Sequence, residues 1–194
     1  MSTNPSPTIA MPRWLHELHG KRTTRSHLLL VQGCAWAVTA IVAALAVAEN
    51  QPFWIVALLA LITVDIAGGV VSNVTPGTNA HYNFSRRARI VFMTLHVLQP
   101  MVLIWLFPVW AVPIAAVALT TLGTAFGIEL LGLRGSAAPV AFSAAIGVIA
   151  LILGAPVVFG PLPFSGLSLI LTLYVLKVAV AFPVDWYPQA EQSN

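Results

Sequence analysis

The chain has 194 residues, of which 58% are hydrophobic and only 8% charged, and its formal net charge is +3. Soluble domains carry about 25% charged residues, so a water-soluble globule is excluded. Intrinsic disorder is excluded as well, because disordered chains are rich in charge and poor in apolar side chains. Lipid is the solvent that this composition suits.

The basic excess does not point to nucleic acid, since the cations flank apolar segments and are not interleaved with aromatics on a polar face. The single cysteine, Cys34, lies inside an apolar run. It leaves no intramolecular disulfide and no thiolate zinc cluster.

Residues 1–10 are rich in Ser, Thr and Pro and read as a disordered leader. In residues 11–25, Trp14, Leu15 and Leu18 share one helical face. That segment reads either as a short interfacial helix on the headgroups or as a loose basic leader. Six apolar runs follow, at 27–48, 53–74, 89–107, 109–131, 138–158 and 164–182. A crossing needs about 20 mostly apolar residues. Only helices satisfy their own backbone over such lengths in lipid, and β-barrel strands would alternate polar and apolar. The first run is too long for a signal-peptide core and reads as a retained span. The breaks carry their own chemistry: Glu49-Asn50-Gln51-Pro52, Pro76-Gly77, Phe107-Pro108, Arg134-Gly135-Ser136 and Gly160-Pro161. The expected fold is an all-α polytopic integral membrane protein with six transmembrane helices. Its expected parts are a cytoplasmic N-terminal segment (1–26), a six-helix membrane domain (27–182) and a cytoplasmic tail (183–194).

Orientation follows from the basic residues. Arg13, Lys21, Arg22 and Arg25 precede the first run. Arg86, Arg87 and Arg89 lie between the second and third, Arg134 between the fourth and fifth, and Lys177 near the end of the sixth. An even number of spans puts all nine on one side. The positive-inside rule makes that side cytoplasmic, with both termini in. The expected location is the inner cell membrane, multi-pass.

Asp65 is the conspicuous residue. An aspartate near the middle of a span costs about 2.5–3.5 kcal/mol on an insertion scale, so it faces the bundle interior. It opens the stretch DIAGGVVSNVTPGTNAHYN, in which Gly68-Gly69 removes bulk beside the carboxylate. A close helix contact or a substrate explains those glycines. Asn73, Asn79, His81 and Asn83 follow in a polar run, with Pro76-Gly77 as its turn. His96 lies in the third run. At 1.5 Å per residue, Asp65 is about 13 Å deep and His96 about 10 Å deep. The two can meet as acid and base or as a proton relay. Arg89 and Gln99 extend the polar face of His96, and Pro100 kinks that helix or frees a carbonyl.

Glu129 and Lys177 read as snorkelling residues, with neutralisation of each other or of Asp65 as the alternative. Thr120, Thr121 and Thr124 read as bonding back to their own helix. Gly123-x-x-x-Gly127 reads as a close-packing motif. The sequence carries no nucleotide-loop, zinc-hydrolase or nucleophile-elbow signature. Asp65, His81 and His96 form a candidate metal set without diagnostic spacing, and no cofactor is identified.

The candidate catalytic residues are therefore Asp65 and His96. The candidate substrate-binding residues are Asn73, Asn79, His81, Asn83, Arg89 and Gln99. The sidedness of the polar residues favours a membrane-embedded enzyme acting on a lipid or isoprenoid substrate, with the asparagines and arginines holding its head. A proton-coupled small-solute transporter and an accessory or assembly subunit are the alternatives. The expected partners are the bilayer, a lipid-phase substrate, and a second copy or another membrane protein.

Overall fold

The computed structural model describes residues 8–188, the Trp14 side chain excepted. Most of the expected leader (residues 1–7) and the end of the expected tail (189–194) lie outside the described residues. The fold is helical apart from one two-stranded ribbon. Strand β1 (Thr8–Ala10) pairs antiparallel with β2 (Arg22–Thr24). Between them a 3₁₀ turn, Arg13–Leu15, leads into a single α-turn, α1 (His16–His19). The long helices follow: α2 (Arg25–Ala48), α3 (Phe53–Asn73), the short α4 (Pro76–Asn83), α5 (Arg86–Leu95), α6 (Leu98–Leu106), α7 (Ala111–Leu130), α8 (Ala138–Phe159) and α9 (Leu167–Val175). A π-helical stretch, Leu176–Ala181, continues α9.

The helix ends follow from local chemistry. Thr24 caps α2, accepting from the His27 amide. Asn50, at φ 55°, closes that helix in the left-handed region, which asparagine tolerates. The Gln51 amide then reaches the Ala46 carbonyl and the Asn50 amide that of Val47, a Schellman closure. Gly132, at φ 67°, ends α7 the same way, with Leu133 bonded to Ile128. Pro76-Gly77 differs from expectation. It opens α4 instead of making a turn, because a proline at the first helical position loses no hydrogen bond there.

Five stretches are long and apolar enough to cross a bilayer: Arg25–Ala48, Phe53–Asn73, Arg86–Leu106, Pro108–Leu130 and Ala138–Phe159. They correspond to the first five expected runs. The sixth run is different. Its helix, Leu167–Ala181, is too short to stand with them. At 1.5 Å per residue it reaches about 22 Å, against a hydrocarbon core of about 30 Å. It is also the most enclosed element. Leu167, Ile170, Leu171, Tyr174, Val175, Lys177, Val178, Ala179 and Ala181 are all buried. A helix that is apolar all round fits a core as well as it fits lipid, and hydropathy cannot tell the two apart. The outer helices instead turn Leu29, Trp36, Leu61, Trp105, Leu119, Ile146 and Val157 outward.

The two ends of the bundle are built differently. At one end the apolar core is closed by Phe107, Trp110, Ile114 and Phe164. Trp110 Nε1 donates to the Pro161 carbonyl, and Glu49 accepts from the Ser165 amide. The other end is polar. Arg134 donates to Asn83 Oδ1 and to the Phe182 carbonyl. Burial, with Arg89 nearby, pushes the Arg134 guanidinium down to about 10. The first residues of the expected tail fold back here: Asn79 donates to the Val184 carbonyl, and Tyr187 OH to that of Val74.

The N-terminal segment is not a loose leader: residues 8–24 form the ribbon and the short helical turn. It docks on α4. Thr78 donates to the Leu18 carbonyl, Tyr82 OH to the Glu17 carboxylate at 2.8 Å, and His81 faces Glu17 at 3.4 Å. Two glycines allow this approach. A Cβ on Gly77 would lie 2.3 Å from the Arg22 carbonyl oxygen and 2.8 Å from that of His19. Gly20, at φ 71°, packs on Gly77 in return. Both obstacles are backbone, which cannot rotate away. Gly77→Ala is therefore expected to undock residues 8–24 while the long helices stay folded. Trypsin should then cleave at Lys21 and Arg22 several-fold faster than in the parent. An unchanged cleavage rate would show that the docking does not depend on this contact.

Candidate functional site

Asp65 sits eight residues before the end of α3, about 12 Å below the polar end at the helical rise. Its partner is Lys177. The ammonium lies 2.7 Å from Asp65 Oδ2 and 3.1 Å from the Asp65 main-chain carbonyl. Gln99 Nε2 donates to the same Oδ2. The bonds to the carboxylate both fall on Oδ2, and half of the Asp65 side-chain surface remains open.

Two local features bring Lys177 there. The first is the π-helical stretch, in which the Phe182 amide bonds five residues back to the Lys177 carbonyl, at 3.0 Å. The wider turn shifts the register of the side chains around it. The second is Gly69, one turn beyond Asp65. A Cβ at Gly69 would lie 2.1 Å from Lys177 Cε and 2.8 Å from Nζ. The missing side chain uncovers the Asp65 carbonyl and leaves a channel for the lysine stem. Gly68 has a separate role, since its Cβ would touch that of Ala35 at 3.3 Å, which sets the packing of α2 on α3. Gly69→Ala is expected to destabilise the fold by displacing Lys177. Gly123→Ala, where nothing lies within 4 Å, should stabilise it by up to about 1 kcal/mol. Thermal unfolding of both variants in detergent checks this opposition of sign.

His96 is positioned by a proline. Pro100 has no amide hydrogen, so the His96 carbonyl four residues earlier loses its helical partner. Helix α5 ends at Leu95 and α6 restarts at Leu98. Tyr174 OH from the central helix donates to the freed carbonyl at 3.0 Å. The helix breaks before Pro100 and a carbonyl is freed, as the proline predicts, whereas nothing in the sequence marks Tyr174 as its partner. His96 Nδ1 lies 2.7 Å from the Phe92 carbonyl. That oxygen only accepts, so Nδ1 carries the hydrogen and Nε2 is the acceptor of the neutral ring. Nε2 is buried without a hydrogen-bond partner among the described residues and faces Asp65 Oδ2 at 4.0 Å. The Phe92 ring stacks on His96 at 3.9 Å and on Phe182 at 3.8 Å, which holds the imidazole in place.

A cavity of about 300 Å³ adjoins these groups, lined by Asp65, Gly69, Phe92, His96 and Lys177 in its depth. Ser72, Asn73, Tyr82, Glu17 and Leu18 line it toward the polar end. Val91 and Leu95, both about half exposed on the outer face of α5, form another rim. Asn73 is buried, and its Nδ2 has no partner among the described residues. Burial, and next the Glu17 carboxylate, push the Tyr82 hydroxyl up, so it stays a hydrogen-bond donor.

The expected site residues therefore divide. Asp65, Asn73, His96 and Gln99 gather at or beside one cavity. Arg89 does not join them: its guanidinium makes a bidentate pair with Glu129, at 2.7 and 2.9 Å. Asn83 bonds Asp185 and accepts from Arg134, and Asn79 holds Val184. His81 turns to Glu17. Glu129 and Lys177 do not snorkel. Each is buried in an ion pair, Glu129 with Arg89 and Lys177 with Asp65. Lys177 and Tyr174 share one face of the last helix, and Gly69 lies one turn beyond Asp65. Those spacings are the only sequence signals for the lysine's part in the site. Thr120 and Thr124 bond back to their own helix, whereas buried Thr121 Oγ1 has no partner among the described residues. Gly123 and Gly127 meet nothing within 4 Å. Among the described residues, no three His, Cys, Asp or Glu side chains converge as metal ligands would.

Comparison of the chain with protein-family models, with curated proteins and with solved structures gives no match.

Proposed function

We propose that this chain is a membrane-embedded enzyme acting on a lipid-phase substrate that enters from the cytoplasmic leaflet. In this reading the last helix completes a sixth crossing with its flanking residues, and both termini are cytoplasmic in an inner cell membrane. The observation that carries the reading is the one-ended cavity. Its floor holds Asp65, Lys177 and His96, and one rim is the outward apolar face of α5. Beyond this level the bundle is filled by Leu59, Ile55, Val42, Trp110, Ile114 and Phe164. That packing suits a site better than a pathway for a polar solute.

In the proposed chemistry the half-open Asp65 carboxylate takes the substrate's proton. His96 Nε2, 4.0 Å behind it, is the second proton station. The Lys177 ammonium holds the carboxylate and offsets charge that develops beside it, in a setting where electrostatic interactions are strong. The test is incubation of the purified protein with a membrane lipid extract, followed by mass spectrometry. A lipid species should be consumed by the parent protein, and not by Asp65→Asn or His96→Ala. If no lipid changes while proteoliposomes take up protons in an Asp65-dependent way, the chain is a carrier and this reading fails.

A further inference from the structure

The cavity around Asp65 also constrains the kind of lipid head it can take. We infer that it binds a lipid alcohol, with an uncharged hydroxyl donated to the open side of the Asp65 carboxylate. This rests on the lipid-phase reading above and names the substrate class within it.

The argument is by charge and by hydrogen-bond type. Two carboxylates line the cavity, Asp65 in the depth and Glu17 at the polar rim. The one cation among its lining residues is Lys177, which is 2% exposed and already bonded to Asp65 Oδ2 and the Asp65 carbonyl. A phosphate or carboxylate head would meet two negative groups and an occupied ammonium. The arginine that a phosphate would need, Arg89, is held by Glu129 along its Nε–Nη2 edge, and its Nη1 donates to the Tyr82 carbonyl. An anionic head is therefore disfavoured, since burying a charge without a partner is costly.

A cationic head fares no better. It would sit against a carboxylate that a buried ammonium already neutralises at 2.7 Å. Like charges that close repel strongly where the dielectric is low. What remains is a neutral head that donates. The floor offers acceptor capacity: Oδ1 of Asp65 has no hydrogen-bond partner among the described residues, and half of the side-chain surface is open. The walls around it, Gly69, Phe92, Val91 and Leu95, are apolar. They lead to the outer face of α5, where a hydrocarbon chain can leave into the bilayer. A hydroxyl at that depth loses its water, and the carboxylate replaces it with a charge-assisted hydrogen bond.

The experiment uses the full chain in lipid nanodiscs. Four long-chain alkyl diazirines of equal length are compared, bearing a hydroxyl, a carboxylate, a phosphate or an amine. The hydroxyl probe should label peptides of α3 and α5 at least about tenfold more than the others, and an unlabelled long-chain alcohol should compete. Leu95→Trp, at an outward position, should cut labelling about tenfold with an unchanged Tm. Preferential labelling by the phosphate, carboxylate or amine probe would overturn the alcohol assignment and leave the lipid-phase site standing. No labelling of α3 or α5 by any probe would overturn both.

Discussion

Asp65→Leu is expected to be the most damaging single substitution in the chain, costing about 3–5 kcal/mol, the range for removing one partner of a buried ion pair. The asymmetry of the pair explains why. Lys177 is 2% exposed, so without Asp65 an ammonium is left in the core of the bundle. Lys177→Met strands Asp65 instead, but half of that carboxylate is open. It can recruit water or take up a proton, so Lys177→Met should cost less. The double variant Asp65→Leu/Lys177→Met removes both charges and should recover most of the loss, because apolar residues often replace a buried pair with no penalty. Thermal unfolding in detergent of all four proteins gives the coupling energy. Single effects that simply add would show that the two charges do not depend on each other.

Glu129→Leu is expected to have the second largest effect, about 3 kcal/mol, the lower end of the same range. It removes both carboxylate contacts of Arg89, whose side chain is 12% exposed. Arg89 would keep its bond to the Tyr82 carbonyl at 2.7 Å. It would have no countercharge, since Glu129 is its one acidic partner among the described residues. The loss is smaller than at Asp65 because Arg89 lies in the first turn of α5, close to the polar end where water can reach it. Glu129→Gln keeps an acceptor and should cost less than the leucine. A Glu129→Leu protein that unfolds at the parent temperature would show that α5 and α7 are held by apolar packing alone. Neither Glu129 nor Arg89 lines the Asp65 cavity, so lipid conversion per folded molecule should survive Glu129→Gln.

Much of this architecture is legible in the chain order of residues. Hydropathy places five long helices within a few residues of where they lie, because lipid leaves a 20-residue apolar segment no other way to satisfy its backbone. The cost of Asp65 in such a segment marks it as inward-facing. Pro100 announces an unpaired carbonyl wherever the helix lies, since the missing amide hydrogen is a property of the residue.

Other features required the packed bundle. The last helix reads like the other apolar runs because apolar side chains suit lipid and core alike, and its enclosure by its neighbours shows only in the packed bundle. Lys177 has the same ambiguity: its stem can reach the headgroups or fold inward, and Gly69 together with the π-helical turn decides for Asp65. Arg89, Asn79 and Asn83 have the residue types of a phosphate-binding site, yet Glu129, Val184 and Asp185 engage them first. Those partners are distant in sequence, 40, 105 and 102 residues away. What the sequence alone determined is the long apolar helices and the costly carboxylate, since each follows from a residue's own transfer energy or geometry. Which polar groups are occupied and which stay open was decided by the tertiary structure, because hydrogen-bond and ion-pair partners are chosen by proximity in space.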